Sequence, residues 1–149
     1  MENWTYSLTF PPVPLSVTNA NVVQIRFDGL DTVAQVVLNG AQIGTAKNMF
    51  SNHIFDCKSQ ISSFAPNTLE VRFESPVTYA QNRYEEEIRD RHEVPPKCIV
   101  PEYRGECHAN HIRKMQASFA WDWGPAFPSM GIYAPIHLES YDSMKRTMV

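Results

Sequence analysis

Apolar and polar residues alternate in short runs through the first half of the chain. WTYSLTF opens the pattern and PPVP stops it, since proline lacks the ladder donor and suits an edge or a connection. VVQIRFDGL resumes with period two, setting Val23, Ile25 and Phe27 on one face, and Asp28-Gly29 supplies a turn. Thr32 to Leu38 is rich in β-branched residues and ends in Asn39-Gly40, the strongest short hairpin signal, so Gln42 to Thr45 reads as its return strand. HIFDC follows, and NTLEVRFES then alternates Leu69, Val71 and Phe73 against Glu70, Arg72 and Glu74. Short strands spaced by turns every ~8–12 residues predict an all-β sandwich or barrel.

From Pro76 the pattern changes. VTYAQNRYEEEIRDRHE has few breakers and many helix formers, which predicts a short helix over about residues 77–90 with its charge-rich half in solvent. Residues 94–112 form a long loop with three prolines and two cysteines, and loops of that length inside compact domains tend to be functional or disordered. The loop leads into RKMQASFAWDWGPAFP. In the closing GIYAPIHLESYD, Ile132, Ile136, Leu138 and Tyr141 alternate imperfectly, and Pro135 marks a bulge or an edge.

Composition narrows the class. With 149 residues, 43% of them apolar and 19% charged, the chain fits one globular domain with a real core. Thirteen basic residues against 16 acidic ones argue against nucleic acid or an anionic membrane as the main partner, because phosphate binding needs a basic face. Apart from Arg113-Lys114 and Lys145-Arg146, the basic residues are scattered. No apolar run approaches the ~18 residues of a membrane span, and no signal peptide is visible in MENWTYSLTF. Cys98 and Cys107 share one loop, close enough for a local disulfide, while Cys57 in HIFDC reads as a buried thiol. A disulfide and the glycosylation sequon Asn3-Trp4-Thr5 would both suit a secretory route.

Three constellations could hold chemistry. In Trp121-Asp122-Trp123, aromatic faces could stack on the C–H face of a sugar while the carboxylate accepts from vicinal hydroxyls. The alternative is a buried turn whose Asp122 caps backbone amides. Cys98, Cys107, His108 and His111 invite a zinc reading, but the C-x8-C-H-x2-H spacing matches no structural zinc site, so a disulfide with two partly exposed histidines and no metal is expected. A glycosidase needs two carboxylates about 5–5.5 Å or 6.5–9.5 Å apart. Asp122 is one candidate, and Glu102 and Glu106 could approach it from the loop. No nucleophile elbow, phosphate-cradling loop or H-E-x-x-H stands in the sequence, so neither a complete catalytic site nor a cofactor is expected.

Taken together, VPPKC, GECH and RKMQASFAWDWGPAFPSMGIY, with LDTVAQVVLNGAQIGTAKNMFSNHIFD earlier, closely resemble the N-terminal domain of the β-mannosidases of glycoside hydrolase family 2. An animal, lysosomal type looks nearest, and the resemblance runs from about Asn3 to Tyr141. It implies a jelly-roll β-sandwich of the galactose-binding-domain-like kind over residues 3–142, with 143–149 opening a linker or a truncated tail. It also implies that Asp122 reaches into the mouth of a neighbouring (β/α)8 barrel to bind a terminal β-mannosyl residue, with Trp121 and Trp123 beside it. The catalytic glutamates of the family lie on the barrel, so no catalytic residue is expected here. The implied activity is retaining hydrolysis of terminal non-reducing β-D-mannose from N-glycan-derived oligosaccharides in the lysosome. The implied partners are that oligosaccharide and the immunoglobulin-like and barrel domains of the parent chain. Against the family pattern the chain reads as an N-terminally incomplete fragment, which would leave unpaired sheet edges. A standalone lectin-like mannoside-binding module and a structural interaction domain are the alternatives.

Overall fold

In the computed structural model, which describes residues 2–98, 104–122 and 124–143, the alternating runs become antiparallel strands. In chain order these are β1 (Trp4–Phe10), β2 (Val22–Phe27), β3 (Leu30–Asp31), β4 (Val33–Leu38), β5 (Ala41–Lys47), β6 (His53–Asp56), β7 (Asn67–Phe73), β8 (Gly131–Ile132) and β9 (Ile136–Tyr141). They form a four-stranded sheet in the order β1-β7-β4-β5, a three-stranded sheet β6-β2-β9, and the small pair β3-β8. The two larger sheets face each other as an all-β sandwich.

The period-two pattern dictates this arrangement. Val23, Ile25 and Phe27 on β2 meet Leu69, Val71 and Phe73 on β7, with Val36 and Leu38 on β4, in one core cluster. Each such side chain contributes ~1.5–3 kcal/mol by leaving water. Asn39 and Gly40 take φ of 52° and 82°, the positive values a two-residue hairpin needs, and join β4 to β5. The fully buried Asn67 is tolerated because its side chain is saturated. Its Oδ1 accepts from Ser62 N–H (2.7 Å) and Asn39 Nδ2 (2.9 Å), and its Nδ2 donates to Ser62 O (3.0 Å) and Pro11 O (3.4 Å).

Two helices join the strands. The expected one is α2 (Pro76–Arg89), started by Pro76 in the first turn and by the Ser75 side chain, which accepts from Thr78 N–H. The other, α1 (Leu15–Thr18), is a single turn that strand periodicity does not reveal; Pro14 presets its entry at φ −57°. Helix α2 covers a second, smaller cluster of Val33, Ala80, Ala109, Ile112 and Phe119, with Val77 and Tyr79 packed against it. β4 is therefore buried on both faces, whereas β2 and β7 are buried on one.

One side of the sandwich is open. Among the described residues β1 pairs only with β7, and β9 only with β2. Trp4, Tyr6 and Leu8 on β1 and Ile136 and Leu138 on β9 are exposed, and a cleft of about 180 Å³ runs between the two strands. The closing run, expected as one strand with a bulge or an edge at Pro135, is instead divided there into β8 and β9, which lie in different sheets, and the Pro135 carbonyl accepts from Asp28 N–H (3.0 Å). Most of the expected tail, residues 144–149 with Lys145 and Arg146, lies outside the described residues.

Candidate functional site: an exposed Trp-Asp turn over a disulfide-walled cavity

The segment from Lys114 to Ser129 leaves the sandwich as a loop and returns to it. Phe119 is fully buried in the cluster under α2, and Ala120 is buried beside it. The chain then turns outward. Trp121 N–H donates to Gly124 O (3.4 Å) and Gly124 N–H to Trp121 O (3.2 Å), a pinch that sets Asp122 at the apex. Trp121 is 53% exposed and Asp122 is exposed, so the turn faces outward instead of packing inside. Trp123 lies outside the described residues, as does Glu102.

Beneath the turn is a cavity of about 250 Å³, walled mainly by apolar atoms and bordered by Trp121, Asp122, Gln116, His108, Pro96 and Cys98. Three stretches of the loop region meet there. Cys98 and Cys107 are joined by a disulfide. Gln116 Nε2 donates to Ala109 O (2.7 Å), Asn110 Nδ2 to Val94 O (2.9 Å), and Glu106 N–H to Phe119 O (2.7 Å). Glu106 does not line the cavity, so among the described residues Asp122 is its one carboxylate.

The histidines correct an expectation. Read from the sequence as partly exposed, both rings are enclosed: His108 is buried with 7% exposure, and the His111 side chain keeps 2% although its residue as a whole is half-buried. Tyr84 of α2 explains this by offering a flat apolar face, on which the His108 ring stacks at 4.0 Å between centroids. His111 Nδ1 approaches Glu87 Oε1 at 3.5 Å. Burial, reinforced by the nearby His111 and Lys97, pushes the His108 pKa below its ordinary value, with Glu85 opposing. Among the described residues no three His, Cys, Asp or Glu side chains gather as a metal would require.

Sequence reasoning missed a buried polar cluster at the base of the loop. Lys114, noted in the sequence only as half of a basic pair with Arg113, has a side chain only 1% exposed, and it forms an ion pair with Asp31 of β3. Ser129 Oγ donates to the same Asp31 oxygen, Oδ2 (3.0 Å), and accepts from Lys114 Nζ (3.2 Å). Thr32 Oγ1 donates to the other oxygen. The signal was present, since Gly-Leu-Asp-Thr and Arg-Lys are both motif residues, but nothing in a linear pattern joins them. Asn3 is exposed, and its Oδ1 accepts from Ser75 N–H (3.0 Å); a glycan would use the other side-chain atom, Nδ2.

The fold is a galactose-binding-like sandwich, and the chain belongs to the glycosyl hydrolase 2 galactose-binding domain-like family, whose model matches residues 1–134. Within that family it is 45% identical over 142 residues to the β-mannosidase of Capra hircus and 42% identical over 142 residues to that of Rattus norvegicus. Each match covers 95% of this chain and 16% of the relative. A probable β-mannosidase of Caenorhabditis elegans is 38% identical over 141 residues, covering 94% of this chain and 15% of the relative. Among solved structures, the crystal structure of β-D-mannosidase from Dictyoglomus thermophilum superposes with a TM-score of 0.77 at 30% identity, over 94% of this chain and 16% of that one. The chain thus spans about one sixth of the length of these relatives.

Proposed function

We propose that this chain is the substrate-contacting domain of a retaining β-mannosidase. The parent enzyme releases terminal non-reducing β-D-mannose from N-glycan-derived oligosaccharides in the lysosome. Asp122 accepts hydrogen bonds from mannosyl hydroxyls, and Trp121 and Trp123 supply apolar faces beside it. The catalytic glutamates stand on a (β/α)8 barrel domain that this turn faces, beyond an immunoglobulin-like domain of the same polypeptide. Asn3 serves as a glycan acceptor.

One observation supports this reading above the others. Relatives that match 95% of the chain at 42–45% identity are β-mannosidases, and the chain turns Trp121-Asp122 outward over an apolar cavity. A carboxylate at such an apex suits vicinal hydroxyls, because charge-assisted hydrogen bonds are short and about twice as strong as neutral ones. The cavity of about 250 Å³ is open to solvent and small for an ordinary ligand site of ~300–1,000 Å³, which suits a site completed by a second domain.

The test is Asp122→Ala in the full-length enzyme with an aryl β-mannoside. Losing a charged hydrogen-bonding partner costs about 3 kcal/mol, so kcat/KM falls roughly 100-fold. Tm holds, because an exposed side chain adds little to the fold. Near-normal kinetics would refute the role of Asp122.

A further inference from the structure

The loop that presents Asp122 begins and ends on the same buried atom. Lys114 stands at its entry and Ser129 at its exit, 15 residues apart in sequence, and both donate to Asp31 Oδ2. Asp31 is fixed in its turn. Its backbone belongs to β3, paired with Gly131 on β8, and Thr32 Oγ1 occupies its other oxygen. The entry is reinforced by Met49 N–H donating to Arg113 O (3.0 Å), and the returning limb by Phe127 N–H donating to Ser118 O (2.7 Å).

We propose that Asp31 is a positioning residue: one buried carboxylate that ties both ends of the 114–129 loop to the sandwich and thereby sets where Asp122 stands against a β-mannoside. This rests on the reading of Asp122 as a substrate contact. The physical reason is the placement of the charges. Lys114 and Asp31 have side chains 1% and 9% exposed, so water and salt screen their attraction little. A free loop of that length would sample many conformers, each with Asp122 elsewhere, and a misplacement of ~1 Å at a reacting centre can cost 100-fold in rate. Closing the loop on one point at its base removes most of those conformers without any contact to the sugar.

The test uses the full-length enzyme and two variants. Asp31→Asn with Lys114→Met removes both charges together, so neither ion is left buried and unpaired, and such replacements are often neutral for stability. Ser129→Ala releases the exit alone and keeps the ion pair. Amide hydrogen exchange across residues 115–129 and aryl β-mannoside kinetics are read in parallel. The double variant should keep a Tm near wild type, exchange at least tenfold faster over 115–129, and lose at least tenfold in kcat/KM. Ser129→Ala should quicken exchange chiefly over 124–129. Wild-type exchange in both variants would overturn the clamp. Faster exchange with unchanged kcat/KM, where Asp122→Ala does lower it, would overturn the positioning role. If Asp122→Ala itself changes nothing, the substrate reading fails, and the clamp is judged on exchange alone.

Discussion

Gly105 lies flush against Ala120: a methyl group built on Gly105 would sit 2.3 Å from the Ala120 Cβ and 2.7 Å from the Phe119 carbonyl oxygen. That oxygen already accepts from the Glu106 amide at 2.7 Å, so the limb that leads to Cys107 and the base of the Trp-Asp turn are in direct backbone contact. Neither can give way without moving the cavity wall. In the proposed full-length enzyme, Gly105→Ala should therefore cost the ~1–3 kcal/mol of overpacking and lower kcat/KM together. Gly40→Ala is the control. With φ at +82° and nothing within 4 Å, it strains the hairpin far from the site. It should cost about 1 kcal/mol and leave kinetics alone. Equal kinetic effects from both would mean that Gly105 acts only through global stability.

His108 makes the loop region sensitive to acid. Its ring is stacked on Tyr84, with Lys97, His111 and Glu85 around it, and burial holds its pKa below the ordinary histidine value. The neutral form is favoured in the folded state, so this stabilisation is complete above the unfolded value of about 6.5. It is lost as pH falls from there toward the depressed folded value. Tm should drop between pH 7 and 5, and the 94–112 loop should exchange amide protons faster. His108 has a φ of +64°, which asparagine accepts, so His108→Asn keeps the backbone and removes the titration. The difference in Tm between wild type and His108→Asn should change across that range; a constant difference would exclude His108 as its source.

What the sequence disclosed follows from the range of each interaction. Val23, Ile25, Phe27, Leu69, Val71 and Phe73 were legible as core because a sandwich reads its own strands with period two. The hairpin at Asn39-Gly40 and the start of α2 at Ser75-Pro76 are set by neighbours in sequence. Trp121-Asp122 was conspicuous as a composition no core needs, yet its exposure depends on Phe119 being held under α2. The burial of His108 depends on Tyr84, and that of Lys114 on Asp31, 83 residues away. Such pairings have no local signal, so the ion pair of Lys114 went unread and the expectation of partly exposed histidine rings failed.

The three cysteines should separate cleanly by reactivity. Cys57 has no exposed surface, and burial, with a smaller contribution from Asp56, pushes its thiol up to about 12. Only the thiolate attacks an alkylating agent, so Cys57 stays unlabelled by iodoacetamide at pH 8 while the fold persists. Cys98 and Cys107 are protected by their disulfide instead. Mild reductant without denaturant should open them to labelling while Cys57 remains silent. Closing a loop of nine residues' separation stabilises by roughly 2–3 kcal/mol on the chain-entropy model, so the Cys98→Ser/Cys107→Ser double variant should lose about that much. In the proposed full-length enzyme, kcat/KM should fall as well, since Pro96 and Cys98 wall the cavity beneath Trp121 and Asp122. Labelling of Cys98 and Cys107 without reductant would remove the disulfide from the working protein. Labelling of Cys57 in the native state would mean that the sandwich opens at β6 on the timescale of the reaction.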